Sequence, residues 1–594
     1  MIFMLKGKKT NILPDTSKII TIFVDENIQL VIFTLKTINT MKTTLISCLL
    51  MLCSLAAFSK ENIVQHQDTS RFDTRPPITP AWMLGHVVWE DQGNTQQSTL
   101  QLVREYLDHD IPVDAVIIDS PWSTGYNNFE WDLTRYPDHE GMADMLLQWG
   151  VKPILWLTGV VNETSKGVPL QKCDTYDYVV KKKLGINFSK PSEWWKGTGV
   201  QIDFTNKKAR QWFYTQLDKV FNHRFFGFKV DQGEVYFGDT VTTSVGTMAN
   251  QDFRKYYYDA LFDYVNSRKP GIGGIVARPY SHQKGYHAGV QKMSMGWCGD
   301  FGGDWNGLKL QIDNIYKSAN AGYGAVATEI AGFMGAKSNH NQFIRYTQFG
   351  CMTACMNNGG ENGAFTNHLP WWQGDDALEI YRYCVNLHRE LVPYIFSALV
   401  DAHNEGGSLI KVHSFDEESH ILGDEIFTKA ITADGDGGKF KLPEGDEWVN
   451  FFNGSHHEGG TVINSDADMG KFNLYVRRGA VLPLNVENDV TGIGTKADTG
   501  RKTLLFYPYG ITRKTIHWPL GDGIEYADVN VEMDAQNGTI HVDSKQKFPF
   551  TIIVREQKPV KDVKGATCWT YDTIKRTLKI YASGNDINIS IIKE

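Results

Sequence analysis

The amino-acid sequence predicts an α/β fold: a (β/α)8 TIM barrel followed by C-terminal β-sandwich domains. Short apolar runs alternate with amphipathic stretches from about residue 80 to residue 400 of the 594. Such alternation is typical of a parallel sheet, and about eight units fit a closed barrel. Beyond about residue 404 the segments become short, β-rich and bounded by Gly, Asp and Asn, which favours sandwich domains.

The barrel is predicted to occupy residues 78–403. Its strands are expected at Met83–Trp89, Val113–Ser120, Lys152–Gly159, Gly227–Asp231, Ile275–Tyr280, Met293–Asp300 and Gly324–Gly332. Its helices are expected at Gln97–His109, Lys207–Asn222, Asn250–Ser267, Leu308–Ala319 and, as one long stretch, Asp376–Asn404. An open doubly wound sheet is the competing architecture, but Gly271–Gly274 is too short to be its glycine-rich dinucleotide signature.

Two sandwich domains are expected after the barrel, at residues 404–485 and 486–594. Glu447–Phe452, Phe472–Val476 and Lys547–Val554 are typical of their strands, because each is short and rich in aromatic and β-branched residues. We expect no sandwich domain before the barrel, because the first strand follows the N-terminal signal closely.

The N-terminal region is predicted to carry an export signal. Met41 and Lys42 precede the apolar run Leu45–Phe58 and a small-residue cleavage site, which is typical of a secretory signal peptide over residues 41–59. Residues 1–40 are then an upstream mis-start or an extension. Since the apolar run is too short to span a bilayer, we expect an exported protein, periplasmic or extracellular, with no membrane span.

Composition disfavours several classes of partner and cofactor. The formal net charge of −8, from 68 acidic and 60 basic residues, argues against nucleic acid. The cysteines beyond the signal show no metal-ligand spacing, so we expect no metal and no cofactor. The 16 Trp and 25 Tyr supply flat faces for sugar rings, although they also serve as core residues. Nothing in the sequence specifies an oligomeric state.

Two carboxylates follow buried-strand patterns and are the candidate catalytic residues. Asp231 ends the apolar run Phe225–Val230, and Asp300 follows the short run that begins at Met295. The carboxyl ends of barrel strands are where barrel enzymes place their chemistry. Glycoside hydrolysis needs two acids, one that attacks or activates water and one that protonates the leaving oxygen.

Several segments, in this order and spacing, resemble glycoside hydrolase family 31 from about residue 80 to residue 490. They are Lys229–Glu234, Trp297–Asp300, Thr328–Phe333, Arg345–Gly350, Leu391–Phe396, Asp401–His403, Leu442–Trp448 and Val476–Leu484. The resemblance implies an exo-acting retaining α-glycosidase that works on an oligosaccharide or glycan. In it Asp231 would be the nucleophile and Asp300 the general acid and base.

The surroundings of the two acids suggest how each would be tuned. A retaining pair stands roughly 5–5.5 Å apart, and its proton donor stays protonated near neutral pH. Trp297, Phe301 and Trp305 are expected to give Asp300 an apolar surround of the kind that raises a carboxyl pKa. Lys229, two residues before Asp231 on the same strand face, is expected to favour ionisation of that acid.

Six further residues are candidates for substrate binding: Asp119, Trp156, Lys229, Glu234, Arg278 and Trp297. The resemblance implies that Asp119 binds sugar hydroxyls and that Arg278 lies beside the nucleophile. The alternatives are a turn-opening carboxylate before Pro121 and a structural ion pair. Trp156 and Trp297 are candidate walls of a sugar pocket. Glu329 replaces an Asp usual in the family and is expected either to support the site from behind or to form a helix-facing salt bridge.

Departures from the family pattern bear on the sugar. Lys229-Val-Asp231 replaces the usual Trp-x-Asp, and no Arg-x-His is found in Cys355–Asn362, the stretch interpreted as following the eighth strand. These departures favour an α-galactoside or an α-xyloside over an α-glucoside.

Two other functions fit the sequence less well. A catalytically silent carbohydrate-binding protein on the same scaffold has no need for both Asp231 and Asp300. A metal-dependent barrel hydrolase needs clustered histidines, and His223, His282 and His287 show no ligand spacing.

Overall fold

A closed barrel of eight parallel strands forms the first part of the computed structural model, which describes residues 75–91, 93–361 and 368–594. The strands, numbered in chain order, are β1 His86–Asp91, β2 Ala115–Ile118, β3 Lys152–Leu157, β4 Gly227–Val230, β5 Gly274–Ala277, β6 Met295–Trp297, β7 Val326–Ile330 and β8 Met356–Glu361. Their order around the barrel is their order in the chain, with β8 pairing β1. The predicted TIM barrel is confirmed.

Helices follow seven of the eight strands. They are α1 Gln96–Asp108, α2 His139–Gln148, α3 Lys207–Leu217, α4 Asn250–Arg268, α5 Trp305–Asn320, α6 His340–Cys351, α7 Asp375–Glu390 and α8 Val392–Glu405. Between β5 and β6 the chain instead forms a small hairpin, Tyr280–Ser281 with Gly285–Tyr286, and a single turn over Val290–Lys292. None of the helices in the described ranges is long and apolar enough to cross a membrane.

Local chemistry explains where the observed helices differ from the predicted ones. The predicted helix Leu308–Ala319 begins earlier because the Asp304 carboxylate caps α5, accepting a bond from the Gly307 amide at 2.8 Å. The predicted stretch Asp376–Asn404 is two helices, and Pro393 lies in the first turn of the second, where its missing N–H costs nothing.

Two strand predictions need correction. Ala81–Leu84, at the start of the predicted first strand, is a 3-10 turn, and β1 begins only at His86. The stretch that begins at Cys355 does not follow the eighth strand but contains it, as β8. That strand reads Met-Asn-Asn-Gly-Gly-Glu and lacks the apolar run by which the other strands were found; its buried Asn358 is satisfied by hydrogen bonds to the His368 carbonyl and to the Tyr381 hydroxyl of α7.

The barrel strands are buried on both faces. Every residue of β2 and of β3 is buried, including Lys152 at the start of β3. Helices cover the outer face and side chains fill the interior, so each buried Val, Leu or Ile contributes roughly 1.5–3 kcal/mol. This packing fixes the strand ends, from which the candidate site residues project.

Two excursions extend the carboxyl end of the barrel. After β3 the chain forms a three-stranded sheet of Val160–Ser165, Gly197–Gln201 and Ser192–Trp194, with a short helix, Tyr176–Lys182, between its strands. After β4 it forms a 3-10 turn, Glu234–Tyr236, and then a hairpin that leads into α4. We call the first of these, residues 158–206, the β3 excursion.

Mostly antiparallel sheets follow the barrel, as predicted. The proximal sheet has six strands: Ile410–Ser414, Ser419–Leu422, Ile426–Lys429, Asn473–Arg477, Glu447–Asn450 and His456–Glu458. Lys439–Lys441 pairs Val462–Asn464 beside it. The distal sheet has eight: Val481–Leu484, Lys502–Phe506, Ile511–Pro519, Tyr526–Asp534, Thr539–Val554, Val560–Lys564, Cys568–Asp572 and Thr577–Lys593. The domain limits at residues 404, 485 and 486 stay predictions, and the predicted extension and signal, residues 1–59, lie outside the described ranges.

Candidate active site

The eight residues predicted for the site all lie in the last residues of, or just beyond, five barrel strands. They are Asp119 after β2, Trp156 in β3, Lys229 in β4 with Asp231 and Glu234 after it, Arg278 after β5, Trp297 in β6 and Asp300 after it. Since the carboxyl ends of parallel strands meet at one end of a barrel, residues far apart in sequence converge there.

Both carboxylate oxygens of Asp231 are held by side chains from neighbouring strands. The indole Nε1 of Trp156 donates to Oδ2 at 3.1 Å. The guanidinium of Arg278 donates to Oδ1 from Nε at 3.2 Å and from Nη2 at 3.0 Å. Arg278, which the resemblance places beside the nucleophile, is therefore the ion-pair partner of Asp231, and Lys229 pairs instead with Asp119. These bonds orient the Asp231 carboxylate.

Arg278 also connects the two candidate catalytic acids. Its Nη2 lies 3.3 Å from Oδ2 of Asp300 and 3.0 Å from Oδ1 of Asp231. Gly299 permits this approach: its φ is +110°, and a Cβ there would lie 2.5 Å from Nη1 of Arg278. The Asp300 side chain is 29% exposed and that of Asp231 12%, so Asp300 is the acid that faces solvent more openly.

Lys229 and Asp119 form a buried ion pair in the interior of the site. The ammonium Nζ lies 2.8 Å from Oδ2 of Asp119, and both side chains are only 4% exposed. The same Nζ lies 3.6 Å from the ring centre of Trp89 and 4.3 Å from that of Trp297. Removing both charges from water costs several kcal/mol, which the short charge-assisted bond and the two indole faces offset.

The protonation of this pair follows from its surroundings. Burial opposes the charge of Lys229, but the carboxylates of Asp119, Glu329 and Asp231 raise its pKa above the ordinary value. Burial raises the pKa of Asp119, and the ammonium of Lys229 opposes that rise. Lys229 is therefore a fixed cation at neutral pH.

Glu329, in β7, lies behind the Trp297 indole. Its Oε2 accepts a bond from Nε1 of Trp297 at 3.2 Å, and Gln311 of α5 holds its backbone on both sides. Burial raises the pKa of Glu329 to about 8, while the cation of Lys229 opposes the rise. At neutral pH this carboxyl is therefore protonated, and it positions Trp297 without adding a negative charge.

Glu234 is set apart from the other predicted residues. Its carboxylate is wholly buried, with Oε2 accepting from the Gly233 amide at 2.8 Å. Oε1 lies 3.6 Å from Nδ1 of His287 and 3.9 Å from Nε of Arg254. Burial lowers the pKa of His287 to about 4, so this neighbour is neutral at pH 7. The structure thus places Glu234 in a closed polar cluster beside α4.

Two aromatic residues of the site gave no functional signal in the sequence. Trp89 of β1 covers Lys229, and a Cβ at Gly359 would lie 2.0 Å from its indole Nε1, so Gly359 leaves room for the ring. Tyr257 of α4 donates its hydroxyl to the backbone carbonyl of Asp231 at 2.9 Å. In a buried strand or an amphipathic helix, such residues are typical of core.

The arrangement supplies what glycosidic bond cleavage needs and shows no metal cluster. One carboxylate is oriented by three hydrogen bonds, and a second, more exposed one shares its cation. In the part of the chain that the structure describes, no group of three or more His, Cys, Asp or Glu side chains is placed to hold a metal ion.

Protein-family models match the barrel and the first sheet domain that follows it. Residues 76–398 match the model described as the glycosyl hydrolases family 31 TIM-barrel domain. Residues 408–482 match that of the glycosyl hydrolase family 31 C-terminal domain. The chain belongs to glycoside hydrolase family 31. The resemblance drawn from the sequence motifs is confirmed.

Curated relatives in the family carry several names. Alpha-glucosidase 2 of Bacillus thermoamyloliquefaciens is 23% identical over 509 residues, which cover 80% of this chain and 63% of that protein. An isomaltosyltransferase of Sporosarcina globispora is 23% identical over 572 residues, 84% of this chain and 52% of the other. An alpha-xylosidase of Emericella nidulans is 24% identical over 442 residues, 69% and 54%. The chain thus spans between half and two thirds of the length of these relatives.

Solved structures of the family share the fold. A mutant GH31 dextranase of Flavobacterium johnsoniae complexed with isomaltotriose superposes with a TM-score of 0.76 at 19% identity, over 87% of this chain and 71% of the other. The cycloalternan-forming enzyme from Listeria monocytogenes in complex with pentasaccharide substrate gives 0.75 at 21% identity, over 87% and 55%. At these identities the likeness shows the fold alone.

Proposed function

We propose that this family 31 protein is an exo-acting retaining α-glycosidase that hydrolyses terminal α-linked sugars of oligosaccharides or glycans by double displacement. The observation that carries the proposal is the shared contact of Arg278 Nη2 with Asp231 at 3.0 Å and Asp300 at 3.3 Å. The two accepting oxygens can be no further apart than these distances laid end to end. That limit applies to the nearest oxygens, and this close approach of the two carboxyl groups supports the roughly 5–5.5 Å separation of a retaining pair.

The reaction then proceeds in two steps. Asp231 attacks the anomeric carbon while Asp300 gives its proton to the glycosidic oxygen, which leaves with the rest of the glycan. The resulting β-linked glycosyl-enzyme is hydrolysed when Asp300 takes a proton from water and the water oxygen displaces Asp231. The exposure of Asp300 supports its role, since that acid must exchange protons with solvent and meet the leaving group.

Exo action and a shift in sugar preference are supported by the Lys229–Asp119 pair. Both side chains are buried and bonded to each other, which supports a site that is closed toward the barrel interior. Lys229 occupies the position where family members usually carry a tryptophan, and the two indole faces fix its ammonium. This change favours an α-galactoside or α-xyloside as the terminal unit.

Chemical rescue tests the roles of the two acids. We expect Asp231→Ala and Asp300→Ala to lower kcat roughly a thousandfold or more on the aryl α-glycoside that the wild type cleaves best, from a panel of glucoside, xyloside, galactoside and N-acetylgalactosaminide. Azide should rescue Asp231→Ala with a β-glycosyl azide as product and Asp300→Ala with an α-glycosyl azide. Asp313→Ala, which removes an exposed helix carboxylate paired with Lys317, is the control.

The outcomes separate the candidate functions. Cleavage of a β-glycoside alone, or release of the sugar with inverted configuration, would contradict the proposal. Sugar binding without turnover in the wild type would favour the catalytically silent binding protein.

A further inference from the structure

Two exposed aromatic rings meet at the carboxyl end of the barrel. Trp195 is 36% exposed and Tyr236 42%, and their ring centres lie 5.4 Å apart with planes inclined at 57°. Tyr236 ends the turn Glu234–Tyr236, five residues after Asp231, and Trp195 follows the last residue of a strand of the β3 excursion. Elements that the sequence separates by about forty residues thus contribute one aromatic surface.

The rings are held by a hydrogen-bonded framework. Ser192 Oγ donates to the backbone carbonyl of Tyr236 at 2.9 Å, which fastens the β3 excursion to the loop after β4. Beneath Trp195, Trp194 packs edge-on at 4.8 Å and is itself anchored by its Nε1 bond to Asn162 at 2.7 Å. A large aromatic surface kept exposed on a rigid support is typical of a binding site, because exposure of such rings to water is unfavourable.

The surface lies at the same end of the barrel as the candidate catalytic acids, because Tyr236 ends the turn that follows Asp231. Burial raises the pKa of Tyr236, and the carboxylates of Asp231 and Asp300 act on the phenol in the same direction while Arg278 opposes them. Toward the barrel interior the site ends at the buried Lys229–Asp119 pair, so the terminal sugar lies there and the leaving group extends outward. Asp300, the more exposed acid, protonates the glycosidic oxygen between the terminal sugar and the leaving group.

We propose that Trp195 and Tyr236 form the platform against which the ring of the leaving group stacks. The inference rests on the proposed glycosidase function and adds the part of the substrate beyond the cleaved bond. The C–H face of a sugar ring is apolar and matches an aromatic face, so the leaving group that this surface fits is a further sugar unit. A leaving group with no ring makes no use of it.

The leaving group therefore decides which substrates depend on the platform. An α-glycosyl fluoride releases only a fluoride ion, whereas a 4-nitrophenyl α-glycoside and an α-linked disaccharide release a ring. Trp195→Ala and Tyr236→Ala should lower kcat/KM about tenfold or more on the last two, which corresponds to about 1.4 kcal/mol or more of lost binding. Hydrolysis of the fluoride of the same sugar should stay at the wild-type level and serves as the folding control.

Two further variants sharpen the test. Tyr236→Phe keeps the ring and should retain activity on the ring-bearing substrates. Tyr178→Ala removes a comparably exposed ring, which is 47% exposed and stacks on Trp212 of α3 at 6.0 Å. Since α3 lies on the outer layer of the barrel, this control should change neither substrate class.

The result can overturn the platform without touching the proposed function. Equal loss of fluoride and nitrophenyl glycoside hydrolysis in Trp195→Ala and Tyr236→Ala, or no loss of either, would overturn the platform while the glycosidase stands. A loss in Tyr178→Ala as large as in those variants would overturn it too. A wild-type protein that cleaves neither class, for any of the four sugars, overturns both.

Discussion

Replacement of Glu329 by Gln gives a quantitative test of the electrostatics of the site. Glu329 is 2% exposed, and burial raises the pKa of its carboxyl to about 8 from an ordinary value of 4.5. Gln has the same shape, does not titrate and can still accept the bond from Trp297. The substitution therefore removes the titration and keeps the contacts.

The magnitude follows from proton linkage. Between pH 4.5 and about pH 8 the native protein holds one proton at Glu329 that the unfolded chain has released. The stability that this group contributes is therefore complete below pH 4.5 and is lost as the pH rises toward 8. The free energy of unfolding of the wild type should fall, through this residue, by about 1.4 kcal/mol per pH unit, or about 2.7 kcal/mol from pH 5.5 to 7.5.

Urea unfolding at pH 5.5, 6.5 and 7.5 measures this slope. The wild type minus Glu329→Gln difference should decline with pH by about 1.4 kcal/mol per unit. Glu390→Gln is the matched control, because burial also raises the pKa of Glu390 to about 8, at a site where it accepts bonds from Thr491. Both variants should flatten the stability slope, and only Glu329→Gln should change the alkaline limb of the activity profile. A difference independent of pH would refute the reasoning.

Three further predictions concern the rest of the site. Lys229→Met leaves the Asp119 carboxylate buried without its cation and should lower the free energy of unfolding by about 3–5 kcal/mol, while Asp119→Asn combined with it restores part of the loss in urea melts. Trp156→Phe removes the N–H that orients Asp231 and should lower kcat about tenfold with an unchanged circular dichroism spectrum; an unchanged kcat would contradict that role. In the proposed mechanism the two carboxylates perform both proton transfer and attack, so dialysis against a chelator should leave kcat unchanged; a loss that a divalent cation reverses would contradict that mechanism.

The fold was predictable because seven barrel strands are apolar runs bounded by turns. β8 was misplaced because its sequence, Met-Asn-Asn-Gly-Gly-Glu, is polar and glycine-rich. Buried polar residues that find hydrogen-bond partners, as Asn358 does with His368 and Tyr381, override the hydrophobic pattern on which strand prediction depends. The break at Leu391 within the long helical stretch carried a local signal, the proline two residues later, which the predicted single helix overlooked.

For the candidate site, the sequence was enough to predict which residues lie at the ends of the barrel strands. The positions of Asp231, Arg278 and Asp300 after their strands follow from barrel topology, and all three converge. The resemblance placed Arg278 beside the nucleophile, as the structure has it, whereas the pairing of Lys229 with Asp119 was not predicted, because it depends on which strands lie next to each other. Trp89 and Tyr236 could not be recognised from the sequence as candidate site residues, because an aromatic residue in a strand or turn has no feature that distinguishes a binding surface from the core.

The ion pair between Lys229 and Asp119 bears on the choice of sugar. The motif Lys229–Glu234 indicates the type of reaction more firmly than it indicates which sugar is bound. In the proposed mechanism the reaction depends on Asp231, Asp300 and the guanidinium of Arg278 between them, and the structure holds these three groups together. The sugar depends on which hydroxyls meet donors at fixed points, and here a lysine held by a carboxylate and two indoles supplies the donor. A buried donor that a substrate leaves unpaired costs far more than a lost apolar contact, so a site of this kind discriminates strongly between sugars that differ in one hydroxyl. Under the proposed function, the lysine at position 229, where the family usually has a tryptophan, therefore leaves the chemistry intact and changes the terminal sugar that the site accepts.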